Sequence, residues 1–190
     1  MFFVIKALVS QKNGNNVANE IYNLDLILNQ LNITPEYRKC VTPALEASER
    51  TDGPAAAMEL NDGTIVTGKT TDLLGASSAL LLNALKRIAG INDDIDLVSP
   101  IVIEPIQDLK VNHLGNKNPR LHTDEVLLAL SISAATNPTA EKAMEAIEKL
   151  RGCEMHSTVI LSEVDMHTLG KLGIHVTCEP SRQTKAYYNK

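Results

Sequence analysis

Thr67-Gly68-Lys69 and, a few residues on, Gly75-Ala-Ser77-Ser78 bring an ammonium group, small hydroxyl side chains and glycines close together in the chain. If Gly75 opens a helix, the first backbone N–H groups there have no intrahelical acceptor, and with Lys69 they could hold a phosphate or a carboxylate. The same residues have a plainer use, because serine is common at helix starts and glycine lets a helix lie close on a sheet. The pattern is not a Walker motif, since Gly68-Lys69-Thr70 lacks the upstream glycine spacing.

A second cluster of polar, basic and imidazole groups runs through Lys110, Asn112, His113, Asn116, Lys117, Asn118, Arg120 and His122. Read as one loop between helices, it could form a ligand lid or a general acid/base site, with Lys110, His113 and His122 as candidate catalytic residues and Asn112 and Arg120 as candidate ligand contacts. The alternative is a solvated connector in which Asn and Gly serve turn geometry and His122 only leads into a helix. Cys153-x-x-His156 and His175-x-x-Cys178 have metal-site spacing, but residues three apart on a strand point to opposite faces, so no metal site is expected there.

The elements that must position these groups are legible in the apolar pattern. Val17, Ile21, Leu24, Ile27, Leu28 and Leu31 recur at helical spacing. Thr34-Pro35-Glu36 reads as a helix start, with Tyr37, Val41, Ala44 and Leu45 as its apolar face and Pro43 as a kink or fresh turn. Asp52-Gly53-Pro54 punctuates the chain. Asn61-Asp62-Gly63 between two apolar runs predicts a β-hairpin, followed by a helix from Gly75 to Ala89 with Gly90 as its stop and Leu80, Leu81, Ala84, Leu85 and Ile88 as its core stripe.

A short strand is predicted over Ile95–Val98, then a helix from Ser99-Pro100 to about Asn112 with Pro105 near its first turn, and a loop over Leu114–Pro119. Helices are predicted to start at Thr123 and Thr139, separated by Asn137-Pro138. Ser157–Leu161 reads as a strand, Ser162-Glu-Val-Asp165 as a capping box with Asp in place of Glu, and Ile174–Cys178 as a closing strand. The expected organisation is an N-terminal helical segment over residues 1–53, an α/β domain over 54–180 with a helical insertion at about 114–150, and a frayed tail over 181–190. Strands alternating with helices after an opening hairpin imply a three-layer α/β/α architecture around a mixed sheet.

Composition narrows the function classes. Hydrophobic residues make up 44% of the chain and charged residues 22%, as in a folded soluble protein. A net charge of -5 with interspersed signs disfavours a general nucleic-acid surface, and 3% aromatic content without tryptophan disfavours a base-stacking reader. No apolar window is long enough for a membrane span, and the apolar start Met1–Val9 lacks the basic leader and cleavage site of a signal peptide. Three cysteines without a disulfide framework suggest reduced thiols in the cytoplasm.

The order of elements from Pro54 resembles the cytidine-deaminase-like fold, with extra N-terminal and inserted helices. Zinc deaminases of that fold open the helix after the hairpin with His or Cys, a spacer and Glu, and the next helix with Pro-Cys-x-x-Cys. Here those positions read Gly75-Ala-Ser-Ser and Ser99-Pro-Ile-Val-Ile-Glu, so zinc-dependent deamination is not expected. The strings TIVTGKTTDLLGASSALLLNALKRIAGI, SPIVIEPIQDLKVNHLG, PRLHTDEVLLALSISAATNP and LGIHVTCEP resemble the C-terminal part of a bacterial family of unassigned activity, domain of unknown function 1846. The resemblance implies much longer proteins, with an N-terminal nucleotide-binding-like region that this sequence does not show.

The expected function is metal-free and cofactor-free binding of a small anionic metabolite or nucleotide. The alternative is a non-catalytic module that forms a homo-oligomer or pairs with a separate N-terminal half.

Overall fold

A computed structural model describes residues 7, 8, 10–12, 14–31, 34 and 37–183. Helices α1 (Ala18–Gln30) and α2 (Val41–Thr51) precede strands β1 (Ala55–Glu59) and β2 (Ile65–Lys69). Helices α3 (Ala76–Ala89), α4 (Pro100–Asp108), α5 (Thr123–Ala134) and α6 (Pro138–Glu145) follow, then β3 (Glu154–Ser157), α7 (Glu163–Lys171) and β4 (His175–Cys178).

The four strands form one sheet in the order β2-β1-β3-β4. β1 is antiparallel to both neighbours and β3 is parallel to β4, so β2, β3 and β4 run in one direction. The hairpin turns where expected, with Gly63 at φ 82° and the Gly63 amide donating to the Leu60 carbonyl at 2.8 Å.

β1 explains the layers. Ala55, Ala56, Ala57 and Met58 are all buried, so this central strand is covered on both faces. Ala56 and Met58 join the main core with Leu80, Leu81, Ala84 and Leu85 of α3, the stripe read from sequence. Ala57 packs instead with Cys40 and Ala44 at the start of α2, with Ile65 against them. Alanine in the strand lets helices approach from either side. Closest of all is Gly68 of β2, where a Cβ would stand 2.2 Å from the Leu80 amide nitrogen.

Several expected boundaries move. Pro35 and Glu36 of the expected helix start lie outside the described residues; α2 begins at Val41 and keeps Pro43 within its first turn, where no N–H is missed. α2 packs on the sheet although it precedes the boundary drawn at Pro54. Ile95–Val98 is not a strand: Leu97 and Val98 are both buried, which a strand's alternation does not allow on a one-sided edge, and the segment runs from a turn at Asn92 directly to the α4 cap, Ser99.

Pro105 sits inside α4 rather than near its start, and α4 widens into a π-turn over Leu109–His113. The caps of α5 and α6 are His122 and Asn137, one and two residues before the expected ones. β3 lies earlier than the branched run suggested, because Thr158 bonds back to both backbone groups of Ala55 and Ser157 Oγ bonds Val159, which turns the chain off the sheet. The helices expected as an insertion bury Val126, Ala129, Leu130, Ala140 and Ala143 in the main core. The tail from residue 184 lies outside the described residues.

Candidate functional site

A cavity of about 650 Å³ opens at the edge of the sheet where β2, β3 and β4 end and β1 begins. Its walls include Gly75, Ser77 and Ser78, Arg120 and His122, the segment Val159–Ser162, and Asp165, with Arg182 at the rim. The N-caps of α3, α5 and α7, which are Gly75, His122 and Ser162, all line it, so the positive ends of three helix dipoles converge there.

The convergence follows from a small parallel bridge. Leu74 pairs with Leu121, the Leu121 amide donates to the Leu73 carbonyl at 3.0 Å, and the Gly75 amide donates to the Leu121 carbonyl at 3.3 Å. Each of these short segments runs straight into a helix. Ser78 Oγ donates to the same Leu121 carbonyl at 2.8 Å, so Ser78 holds the two helix starts together.

α3 is the open end. Gly75 offers no side-chain cap, whereas α5 and α7 are capped by groups within the site. Ser77 is only 5% exposed and lines the cavity, and its hydroxyl has no hydrogen-bond partner among the described residues. An added Cβ at Gly75 would meet the Leu121 carbonyl oxygen at 3.6 Å, an ordinary contact, and its φ of -67° suits any residue. Gly75→Asp is therefore expected to cap α3 itself, stabilising the chain by ~0.5 kcal/mol while filling the place of an external anion. The check is a slightly raised melting temperature together with loss of any anion-induced stabilisation.

Opposite stands a buried acid–imidazole pair. His122 Nδ1 lies 3.0 Å from Asp165 Oδ2, and Asp165 also accepts from the Thr123 amide (2.9 Å), Thr123 Oγ1 (3.0 Å) and Ser162 Oγ (2.7 Å). The hydrogen bond to Asp165 raises His122 above its ordinary value, against the opposing effect of burial. Burial pushes the Asp165 carboxyl up, but the hydrogen bonds from His122, Thr123 and Ser162 outweigh it and hold the group low. Each partner thus favours the charged form of the other, imidazolium beside carboxylate. His122 Nε2 makes no hydrogen bond among the described residues.

Of the residues selected from sequence, Gly75, Ser77, Ser78, Arg120 and His122 come together here. Arg120 is buried, and its Nε donates to the Thr71 carbonyl at 2.5 Å. Lys110 is a buried brace behind the wall: its Nζ donates to Glu125 Oε2 at 2.6 Å and to the Arg120 carbonyl at 2.7 Å, so its charge is spent inside the protein. Lys110→Met is expected to leave Glu125 and the Arg120 carbonyl short of a donor and to cost ~2 kcal/mol, read as a lower urea midpoint.

Four sequence candidates fall elsewhere. Lys69 lines a separate cavity beside Asn83 and Lys86, because β2 ends before the chain reaches Gly75. The Thr67 carbonyl accepts from Asn83 Nδ2 at 2.9 Å, which ties β2 to α3. Asn112 and His113 sit on the exposed π-turn and face Asp108, at 2.7 and 3.8 Å. The widened turn carries them off the cavity wall.

Asp165 was visible in sequence only as part of a helix cap, and its reach to His122 depends on α5 and α7 meeting. His156 is fully buried, between Thr177 Oγ1 (2.9 Å) and Glu179 Oε1 (3.0 Å), and burial pushes it below its ordinary value. The three cysteines are unpaired and buried, and burial raises each thiol, so none is set up as a thiolate nucleophile. Among the described residues no group of three or more His, Cys, Asp or Glu side chains is placed to hold a metal ion, and no helix is long and apolar enough to cross a membrane.

A mixed sheet between helical layers, with a polar cleft at the ends of its codirectional strands, defines the chain as an α/β domain. Residues 36–188 match the family described as "Domain of unknown function DUF1846, C-terminal", and the chain belongs to that family. It is 49% identical over 185 residues to a UPF0371 protein of Corynebacterium glutamicum, covering 97% of this chain and 37% of that protein. A UPF0371 protein of Streptococcus thermophilus is 48% identical over 170 residues, covering 90% of this chain and 34% of its own length. The chain thus spans little more than a third of the curated relatives it matches.

Proposed function

We propose that the cavity at the α3 N-terminus binds a small anionic or nucleotide-like ligand without a metal ion. The observation that carries this reading is the meeting of three helix N-termini in one cavity, with that of α3 lacking a side-chain cap. Its place at the carboxyl ends of β2, β3 and β4 is where open α/β sheets commonly take ligands. Within it the first-turn N–H groups of α3 and the Ser77 hydroxyl supply donors, with Gly75 and Ser78 holding that helix start against Leu121. Arg120 supplies charge, and His122, oriented by Asp165, is the candidate proton-transfer group.

The hairpin followed by α3, and the closing β3-α7-β4 unit, support a cytidine-deaminase-like reading of the fold, and the absent strand at Ile95–Val98 departs from it. Buried unpaired thiols are in keeping with a cytoplasmic protein.

A thermal-shift screen with nucleotides and phosphorylated metabolites tests the proposal. The melting temperature is expected to rise with at least one of them, less so in Ser77→Ala and unchanged in size in Lys69→Ala. Absence of any ligand-induced rise across the screen would overturn it.

One observation favours a second, compatible role in self-association or pairing with an N-terminal half. α1 buries no residue among those described and presents Tyr22, Leu26 and Ile27 to solvent. Light scattering that finds a strict monomer at high concentration, with no partner, would remove this reading.

A further inference from the structure

We propose that the anion held at the α3 N-terminus is a tetrahedral dianion, the phosphate group of a phosphorylated metabolite, and that His122 is its proton-dependent partner across the cavity. This rests on the anion-binding reading above and assigns to it a ligand class and a control.

The donors are spread over two walls. On one stand the uncapped first N–H groups of α3 and the hydroxyl of Ser77, a residue only 5% exposed, which lines the cavity and has no hydrogen-bond partner among the described residues. On the other stands His122 Nε2, with Nδ1 already committed to Asp165 at 3.0 Å. A planar carboxylate directs its two oxygens largely to one side and would leave one wall unpaired. A phosphate group presents three terminal oxygens and can accept from both walls at once.

The control comes from which proton His122 can lose. Asp165 is itself fixed by Thr123 and Ser162, so the Nδ1 proton stays on the Asp165 side. Deprotonation therefore takes the proton from Nε2. That nitrogen changes from a charged donor into a lone pair facing the anion, which removes an attraction and adds a repulsion.

The charged groups around His122 are Asp165 and Glu163 of α7, Glu125 of its own helix, Lys110 at the end of α4, Arg120 two residues before it, and Arg182 at the rim. Lys110 and Glu125 neutralise each other at 2.6 Å, and Asp165 is matched by His122. Arg120 lies 4.0 Å from Asp72, and Glu163 and Arg182 stand on the lining with opposite charges, so protonation of His122 is the change that tips the site toward negative ligands. Because its titration is displaced upward by Asp165, the binding form persists to a higher pH than for a free histidine.

Inorganic sulfate is the probe of choice, since it is tetrahedral and its charge does not change between pH 5.5 and 8.5. Calorimetric titration of the 190-residue chain is expected to give affinity that is flat at low pH. Above the His122 transition it should fall by about tenfold per pH unit, the slope for one linked proton. His122→Asn should flatten the profile. Ser77→Ala should weaken binding by about tenfold and keep the pH dependence.

Circular dichroism confirms that each variant folds. A pH-independent affinity in the parent chain, or a profile unchanged in His122→Asn, would overturn the role of His122. Acetate binding as tightly as sulfate would overturn the ligand class and leave the anion-binding reading standing. If neither sulfate nor phosphate binds and no nucleotide or phosphorylated metabolite raises the melting temperature, both fail together.

Discussion

Replacing Asp165 with alanine is expected to destabilise the chain more than any other single change at the cavity, by ~3–5 kcal/mol. The carboxylate accepts from His122 Nδ1, the Thr123 amide, Thr123 Oγ1 and Ser162 Oγ, and truncation leaves all four facing a void in a buried place. Such a loss corresponds to a fall in melting temperature of about 10 °C or more for a domain of this size. Asp165→Asn keeps the shape and one acceptor oxygen, so it should lose less. His122→Asn should lose less again, because Thr123 and Ser162 still satisfy the carboxylate. A double-mutant cycle over His122 and Asp165 measures their coupling, and a coupling near zero would show that the pair contributes nothing as a pair.

The same pair sets a pH window for stability. Asp165 is held below its ordinary value of 3.8, so its contribution is present above that pH and is lost as pH falls through the depressed folded value. His122 is raised above its ordinary value of 6.5, so its contribution is complete below that pH and is lost as pH rises through the raised folded value. The pair therefore stabilises fully between roughly pH 4 and 6.5 and less on either side. Denaturant midpoints measured across pH should show this plateau in the parent chain, and Asp165→Asn should lose both flanks.

Gly68→Ala is expected to be nearly as damaging from outside the cavity. Its new Cβ would stand 2.2 Å from the Leu80 nitrogen, 2.5 Å from Leu80 Cα and 2.6 Å from Leu80 Cβ. The obstruction is helix backbone rather than the end of a flexible side chain, so α3 as a whole must move off the sheet. Overpacking of this kind costs ~3 kcal/mol or more. Since α3 carries Gly75, Ser77 and Ser78, any variant molecules that fold should also bind sulfate more weakly. An urea midpoint and a sulfate titration indistinguishable from the parent would refute both expectations.

Legibility in the sequence tracks the range of the interactions concerned. The hairpin at Asp62-Gly63, the α3 stripe and its stop at Gly90, and the Ser162 cap of α7 were all readable because each depends on residues a few positions apart. Ile95–Val98 misled because Ile95-Asp96-Leu97 alternates as a strand does, yet no strand of the sheet lies beside it to pair with. The branched run after Ser157 misled for a related reason. Thr158 spends its hydroxyl on Ala55, more than a hundred residues earlier, and the ladder ends there.

By itself the sequence determined the α/β class, the positions of most helices, the open cap at Gly75 and the membership of the family through long strings of matching residues. Those properties are local, written in hydrophobic period, turn chemistry and residue identity. Only the tertiary structure decided which polar residues share a cavity. Parallel pairing of Leu74 with Leu121 brings Ser77 and His122 to one site, and the contact of α5 with α7 supplies Asp165. Lys69, Asn112 and His113, no less promising as letters, are left on other surfaces. Composition and spacing could not rank them, because contacts between distant segments depend on how the whole core packs.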